Sequence, residues 1–371
     1  MTRLRRLLSQ LSRDWFLLVL LALFPFVFWL APIPARDLPG LVDWKTVSAL
    51  AGMLVLSRGL EASGVIDRVG RAALARLDSL RGLAAALVLL AAVLSMIVTN
   101  DVALFVTVPL TLGLARMVEL PVGRLVIFQA LAVNAGSALS PVGNPQNLFL
   151  WQASNAGFVE FTLAMLPIAA AMLAIVLALL PIGFGKRTPV LSETASPLPL
   201  QQRLMMLSLV TYPLFLLAVN AGFALAGAAV ILGLFALCFR QVLRGVDWGL
   251  LLVFVLMFVN MGLLGQIPVI GAFVGGLMQG PDLAFISGAG LSQIVSNVPA
   301  AIFLAPFTAE WRALAWGVNV GGFGLVIGSL ANLIALRLVR QTGMWWHFHL
   351  WSMPTFVLCL AAGAVLLRVW P

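Results

Sequence analysis

The 371-residue chain is poor in charge: Asp, Glu, Lys and Arg together make up 9% of it, against 62% hydrophobic residues and a mean hydropathy of +1.08. Soluble domains carry roughly 25% charged residues, so this sequence cannot cover a water-soluble surface. Cysteine is scarce as well. Cys238 and Cys359 lie far apart in apolar stretches, which excludes a disulfide framework and any Cys-x-x-Cys metal or redox pattern. Both read as small apolar residues. Histidine is limited to His347 and His349, which neighbour Trp residues in the loop expected before the last helix. That placement fits a membrane interface better than a metal site. No His-Glu-x-x-His, Gly-x-Gly-Asp or Ser/His pair occurs at membrane depth, which argues against an intramembrane enzyme.

Long apolar runs are what the chain does have. A span takes about 20 mostly apolar residues, and such stretches, for example 15–30 and 163–183, recur throughout. The fold class is therefore an all-α polytopic membrane protein with the lipid bilayer as its partner. Its net charge of +9 would suggest nucleic acid in a soluble protein. Here the basic residues sit in loops, so they set orientation and no nucleic-acid partner is expected. Arg3, Arg5 and Arg6 before the first apolar run resemble the start of a signal peptide. A second run at 223–239 precedes the second half of the chain in the same way, so the first reads as a retained helix.

Three groups of residues recur in the same order. Val42-Asp43-Trp44 returns as Val246-Asp247-Trp248, followed at equal offset by Val65-Ile66 and Val269-Ile270. Thr99-Asn100 is echoed by Ser296-Asn297, with Pro109 and Pro306 equally far beyond. Asn134, Gly136, Gly143 and Asn147 are echoed by Asn319, Gly321, Gly328 and Asn332. Together these imply a duplication, with a first half at 1–183, a linker at 184–204 on the cytoplasmic side and a second half at 205–371. Helices are expected near 15–32, 43–60, 121–152, 158–183, 204–219, 221–240, 246–264, 312–340 and 350–369, about nine spans of bilayer length. Segments 82–116 and 281–310, each interrupted by polar residues, read as two re-entrant hairpins. Segments 63–80, with Arg68, Arg71 and Arg76, and 265–280 should lie along the interface.

With the N-terminus in the cytoplasm, nearly all Lys and Arg fall on the inner side, the exceptions being Arg36, Lys45, Arg312 and Arg368. The C-terminus is then periplasmic. An odd number of crossings separates Asp43 from Asp247, so the repeat is inverted. The expected location is a bacterial inner membrane. Trp15, Trp44, Trp151, Trp248, Trp311, Trp345, Trp346, Trp351 and Trp370 lie near expected span ends, where amphipathic rings prefer to sit.

Broken helices are tolerated at membrane depth only inside protein or around a watery cavity. Ser140-Pro141-Val142-Gly143-Asn144-Pro145-Gln146-Asn147 cannot be continuous helix, because two prolines remove donors and clash with the preceding turn. The broken helix at 121–152 thus opens there, and the one at 312–340 opens at Gly328-Ser329-Leu330-Ala331-Asn332. Inverted repeats with paired broken helices point to a transporter's midplane site. Half-helix N-termini favour an anion, while unwound carbonyls and Asn or Ser oxygens suit a cation such as sodium. The candidate substrate or ion residues are Thr99, Asn100, Asp101, Gly143, Asn144, Pro145, Asn147, Ser296, Asn297, Val298, Gly328, Ser329 and Asn332, with sodium assigned to Asn100, Asn147, Asn297 and Asn332. No organic cofactor is expected; sodium or a proton is the coupling ion. Asp101, whose counterpart is Val298, is the one carboxylate at a tip and a candidate proton or cation partner.

Plainer roles stand beside these. Asn100 and Asn297 can be structural caps, Asn134 and Asn319 can bond between helices as readily as to ligand, and Gly136, Gly321 and Gly322 suit close packing. Asp101 can be a buried cap. Glu61, Glu160, Asp282 and Glu310 lie near span ends and read as solvated.

Thr99-Asn100-Asp101-Val102-Ala103-Leu104, Ser137 through Pro141 to Gly143-Asn144-Pro145-Gln146-Asn147, and Ser296-Asn297-Val298-Pro299-Ala300 resemble the ion transporter superfamily. That superfamily includes arsenite and sodium–proton antiporter-type permeases and the citrate and dicarboxylate/sodium symporters. The likeness covers nearly the whole chain and is nearest to the small permease branch. It implies hairpins entering from opposite sides, paired cation sites at tips and breaks, and often a homodimer with a mobile transport domain. In the sodium–dicarboxylate branch the tips read Ser-Asn-Thr. Here each keeps its Asn but lacks the final Thr, which argues against a dicarboxylate, and Asp101 leaves proton coupling open. The expected function is secondary active transport of a small inorganic or organic anion by alternating access. The alternative is a cation/proton antiporter exchanging at Asp101.

Overall fold

The computed structural model describes residues 15–31, 33–65, 68, 79–115, 119–185, 199–246, 248–339, 341 and 343–370. Most of the linker at 184–204, the N-terminal arginines, Arg71, Arg76 and Asp247 lie outside them. The described chain is helical. The first half holds α1 (Trp15–Leu30), α2 (Trp44–Ala62), α3 (Leu80–Ile97), α4 (Asn100–Ala115), α5 (Val122–Ser137), α6 (Pro145–Ser154) and α7 (Phe158–Gly183). After α8 (Gln202–Asn220) the second half repeats this series and includes a short α10 (Arg240–Arg244) and α12 (Pro268–Leu277), the latter at the place that corresponds to 63–80, most of which lies outside the described residues. Its elements are α9 (Ala224–Cys238), α11 (Trp248–Gly265), α13 (Pro281–Val295), α14 (Asn297–Leu304), α15 (Trp311–Gly321), α16 (Leu330–Val339) and α17 (Met344–Val369). Among the described residues α3, α7, α8, α11 and α17 are each long and apolar enough to cross a bilayer, and α2 joins them together with the bent 3-10 turn Ala35–Leu41.

Local chemistry sets these boundaries. Asp43 caps α2, accepting the Lys45 and Thr46 amides at 3.0 and 3.3 Å and the Thr46 hydroxyl at 2.6 Å. Ser79 caps α3 through the Gly82 amide. Asn144 caps α6, where Pro145 takes the first helical position, at which no backbone donor is needed. One boundary differs from the sequence reading: the last helix starts at Met344, not near 350, so His347 and His349 sit in its first turns and not in a loop. Exposed Trp345 and Trp346 lie within this first part of the helix, where hydropathy is low although helical bonding persists.

The repeat is visible in the packing. Each opening helix lies against the second helix of the other half, α1 on α11 and α9 on α2, with α8 beside α2 and α9. In each hairpin the arms pack on one another, α3 with α4 and α13 with α14. The first arm then lies along the first half of a broken helix, α3 on α5 and α13 on α15. The two halves interlock through the second parts: α16 packs on α4 and α5, and α6 on α14 and α15. Glycine makes the closest contacts possible. A Cβ at Gly136 would run into the Ala92 carbonyl and lie 2.6 Å from Ser95 Oγ; one at Gly321 would lie 2.7 Å from Ser292 Oγ and 3.0 Å from the Ala289 carbonyl. These four partners correspond pairwise in the repeat.

Candidate functional site

Both breaks and both tips meet in the centre of the protein. Helices α4, α6, α14 and α16 begin there, and α3, α5, α13 and α15 end there. The centre therefore offers free amides and free carbonyls together. Asp101, 8% exposed, is the only charged side chain among the buried residues of the described chain.

The breaks are joined by crossed asparagine pairs. Asn134 Nδ2 donates to Asn332 Oδ1 at 2.8 Å, and Asn319 Nδ2 donates to Asn147 Oδ1 at 2.6 Å. Because Asn134 corresponds to Asn319 and Asn147 to Asn332, the two bonds are one contact made twice, as a two-fold relation requires. The next layer repeats the pattern: Asn144 Nδ2 donates to Asn319 Oδ1 at 2.9 Å, and its counterpart Ser329 donates to Asn134 Oδ1 at 3.1 Å. All six side chains are buried, and each lies where an unmade hydrogen bond would be expensive. For Asn134 and Asn319 the structure favours the interhelical role.

Asn147 and Asn332 have both amide groups engaged with protein. Asn147 Nδ2 donates to the Ala138 and Ser140 carbonyls at 2.9 and 3.1 Å, and Asn332 Nδ2 to the Gly322 carbonyl at 2.8 Å. Gly143 belongs to the first tip as much as to its own break, since its carbonyl accepts the Asn100 amide at 2.9 Å. Asn100 Oδ1 accepts the Asp101 amide at 2.9 Å, so that side chain caps α4. Asn297 begins α14, and its amide nitrogen lies 3.2 Å from where a Cβ on Gly322 would stand. Gly328 donates its amide to the Leu325 carbonyl at 2.8 Å. Val298 is buried beside the second tip.

The tip hydroxyls behave differently from the asparagines. Thr99 Oγ1 and Ser296 Oγ, at matching positions, are buried and have no hydrogen-bond partner in the protein. Ser296 also has φ +76° and ψ 155°, a conformation that costs a non-glycine residue of order 1–3 kcal/mol and clusters at functional sites. Two glutamines that the repeat did not single out belong here as well. Gln146, next to Pro145, approaches Asn319 Oδ1 at 3.4 Å. Gln293, on the last turn of α13, donates to the Gly321 carbonyl at 2.6 Å and accepts the Leu325 amide at 2.7 Å, bracing the second break. Away from the tips, a cavity of about 170 Å³ lies between the outer ends of α6, α14 and α15, among Leu150, Ser154, Thr308 and Trp311.

Residues 4–316 match the family described as citrate transporter. The chain is 42% identical over 367 residues to the inner membrane protein YbiR of Escherichia coli, covering 98% of each. It is 34% identical over 301 residues to an uncharacterised transporter of Methanocaldococcus jannaschii, covering 80% of this chain and 82% of that one. Among solved structures, the YdaH transporter of Alcanivorax borkumensis, described as having an unusual topology, superposes with a TM-score of 0.58 over 96% of this chain and 97% of that one at 16% identity, a likeness of fold. With its inverted halves, paired breaks and buried polar centre, the chain is a multi-pass membrane transporter that belongs to the citrate transporter family.

Proposed function

We propose that this transporter carries a small anion across a bacterial inner membrane by alternating access, driven by sodium or protons, with the N-terminus in the cytoplasm and the C-terminus in the periplasm. The observation that carries the reading is the pair of buried, unpartnered hydroxyls at the two tips, Thr99 Oγ1 and Ser296 Oγ. A buried polar atom without a partner costs roughly 1–3 kcal/mol, and two in corresponding places point to ligands that complete them. The helix N-termini around them suit an anion and the carbonyl ends a cation. Citrate, the anion in the family's description, is the natural first substrate to assay, followed by smaller inorganic and organic anions. Exchange of a cation for protons at Asp101 is the second reading, motivated by its carboxylate being the only buried charge among the described residues.

Thermal stability of the purified protein, with sodium and with choline in its place, tests the cation half. A ligand at 100 times its Kd stabilises the folded state by about 2.7 kcal/mol. Wild type should be stabilised by sodium, and Asn100→Ala with Asn297→Ala should lose the effect. No sodium effect in wild type would leave protons, and Asp101→Asn would then be expected to abolish coupled uptake in proteoliposomes.

A further inference from the structure

Thr99 and Ser296 account for two of the unpartnered polar atoms at the centre. A third among the described residues is Gln146 Oε1, in the first turn of α6, on a residue 2% exposed. Its counterpart in the second half is Ala331, so the repeat does not explain it. The surrounding network fixes which way this amide points. Asn319 presents Nδ2 to the Ala315 carbonyl at 2.7 Å, and a carbonyl only accepts. Asn319 Oδ1 therefore faces Asn144 and Gln146, so Gln146 turns Nε2 toward it and leaves Oε1 for something else. Helix α6 packs against α14, and both begin at the centre, α14 with the strained Ser296 before its first residue.

We propose that Gln146 Oε1 and Ser296 Oγ are ligands of a monovalent cation at the second tip, a site of neutral oxygens unlike the first tip, where Asp101 supplies a carboxylate. This rests on the cation-coupled reading above. An amide oxygen has no proton to give and repels the oxygens of an anion, whereas a hard cation accepts neutral oxygen ligands readily. It also does not take up a proton in the physiological range, so the second tip binds a cation whatever the first tip does with protons. Both additions that lack an equivalent in the repeat come from the first half: Asp101 to its own tip, Gln146 across the interface to the other.

The test is a sodium titration of thermal stability, in sodium chloride balanced with choline chloride. Gln146→Ala should raise the sodium midpoint roughly tenfold or more, since losing even a group that only supports a metal's ligands costs about that much. Ser296→Ala should do likewise, and the double variant should lose less than the product of the two. Gln146→Glu keeps an oxygen in place, so at pH 8 its midpoint should be no higher than wild type; near pH 5, as the carboxylate protonates, it should rise more than wild type's. Equal midpoints for wild type and Gln146→Ala would overturn the site while leaving sodium coupling intact. If Gln146→Ala does not fold, a Gln146→Glu midpoint equal to wild type at both pH values overturns it instead. A wild type indifferent to sodium removes the cation-coupled reading and this site with it.

Discussion

In the first break, between Ser137 and Pro145, the chain largely holds itself. Two prolines prevent helix, Asn147 Nδ2 gathers the carbonyls its own loop leaves free, and Ser140 ties the loop to the Met96 carbonyl of the hairpin at 2.7 Å. The second break, between Gly321 and Ser329, has no proline and, beyond the bond from Asn332 Nδ2 to the Gly322 carbonyl, is held from outside. Gln293 reaches in from the hairpin, Ser352 donates to the Gly324 carbonyl at 2.7 Å, and His349 Nε2 faces the Val326 amide at 3.3 Å. Yet the crossed asparagines that join the breaks are the same from both sides. Duplication has kept the contact between the halves and let the means of opening each helix diverge. The tips follow the same rule, conserving Asn and a hydroxyl while Asp101 faces no equivalent in Val298.

The largest test of this comparison is steric. Gly136 meets backbone, the Ala92 carbonyl, whereas Gly321 meets first the side chain of Ser292. Gly136→Ala should destabilise by about 3 kcal/mol, and Gly321→Ala by about 2, since overpacking at a close contact costs of this order. The recoveries should differ more than the losses. Ser292→Gly should restore part of the stability of Gly321→Ala, but Ser95→Gly should do little for Gly136→Ala, because a backbone carbonyl cannot be cut away. Equal recovery, read from thermal unfolding in detergent, would mean that α3 and α13 shift with equal ease.

Next in size is the asparagine network. Asn319→Ala leaves Asn147 Oδ1 without its partner and takes from Asn144 Nδ2 one of its two acceptors, the other being Ser137 Oγ, and should cost about 2 kcal/mol. Asn134→Ala strips Asn332 Oδ1 in the same way but should cost less, about 1.5 kcal/mol, because the Ser329 hydroxyl it releases can rotate to another acceptor. A double-mutant cycle on Asn134 and Asn332 should return a coupling of about 0.6 kcal/mol, the average for side-chain hydrogen bonds inside membranes. The cycle on Asn134 and Asn147, which bond to different partners, should return none. Coupling there would show that the two crossed bonds act as a single unit.

Smaller again is the difference in how the breaks are braced. Gln293→Ala removes a donor and an acceptor from the second break and should cost about 1.5 kcal/mol, against about 0.5 for Ser140→Ala in the first, where Asn147 still holds the loop. Hydrogen exchange at the Leu325 amide should quicken in the first variant alone.

Most of the architecture was legible in the sequence because its causes are local or periodic. Apolar length placed α7 and α11 to within a few residues, Pro141 and Pro145 marked the first break, and the repeat carried that mark to a second break with no proline. The equal spacing of Asn134 to Asn147 and Asn319 to Asn332 was visible as well, but a repeat says which residues correspond and is silent on which copy a side chain reaches. That is why the crossed bonds emerge only in three dimensions. Gln146 and Gln293 were hidden for the opposite reason: their counterparts are Ala331 and Met96, and a reading built on recurrence passes over what occurs once.

The smallest effect is expected where the halves remain most alike. At the start of α2 the Trp44 indole donates to the Pro39 carbonyl at 3.1 Å, and at the start of α11 the Trp248 indole donates to the Leu243 carbonyl at 2.9 Å, each reaching back five residues. Both rings are about half exposed, as suits a side chain with an apolar body and one polar edge at a membrane boundary. Trp44→Phe and Trp248→Phe keep the apolar body and remove only the donor, so each should cost about 0.5 kcal/mol, the low end for a hydrogen bond whose acceptor can still find water. The magnitudes matter less than their equality. One end of the scaffold losing clearly more than the other would show that divergence has reached the membrane boundary too, and that the shared asparagine contact at the centre is what the duplication has been held to preserve.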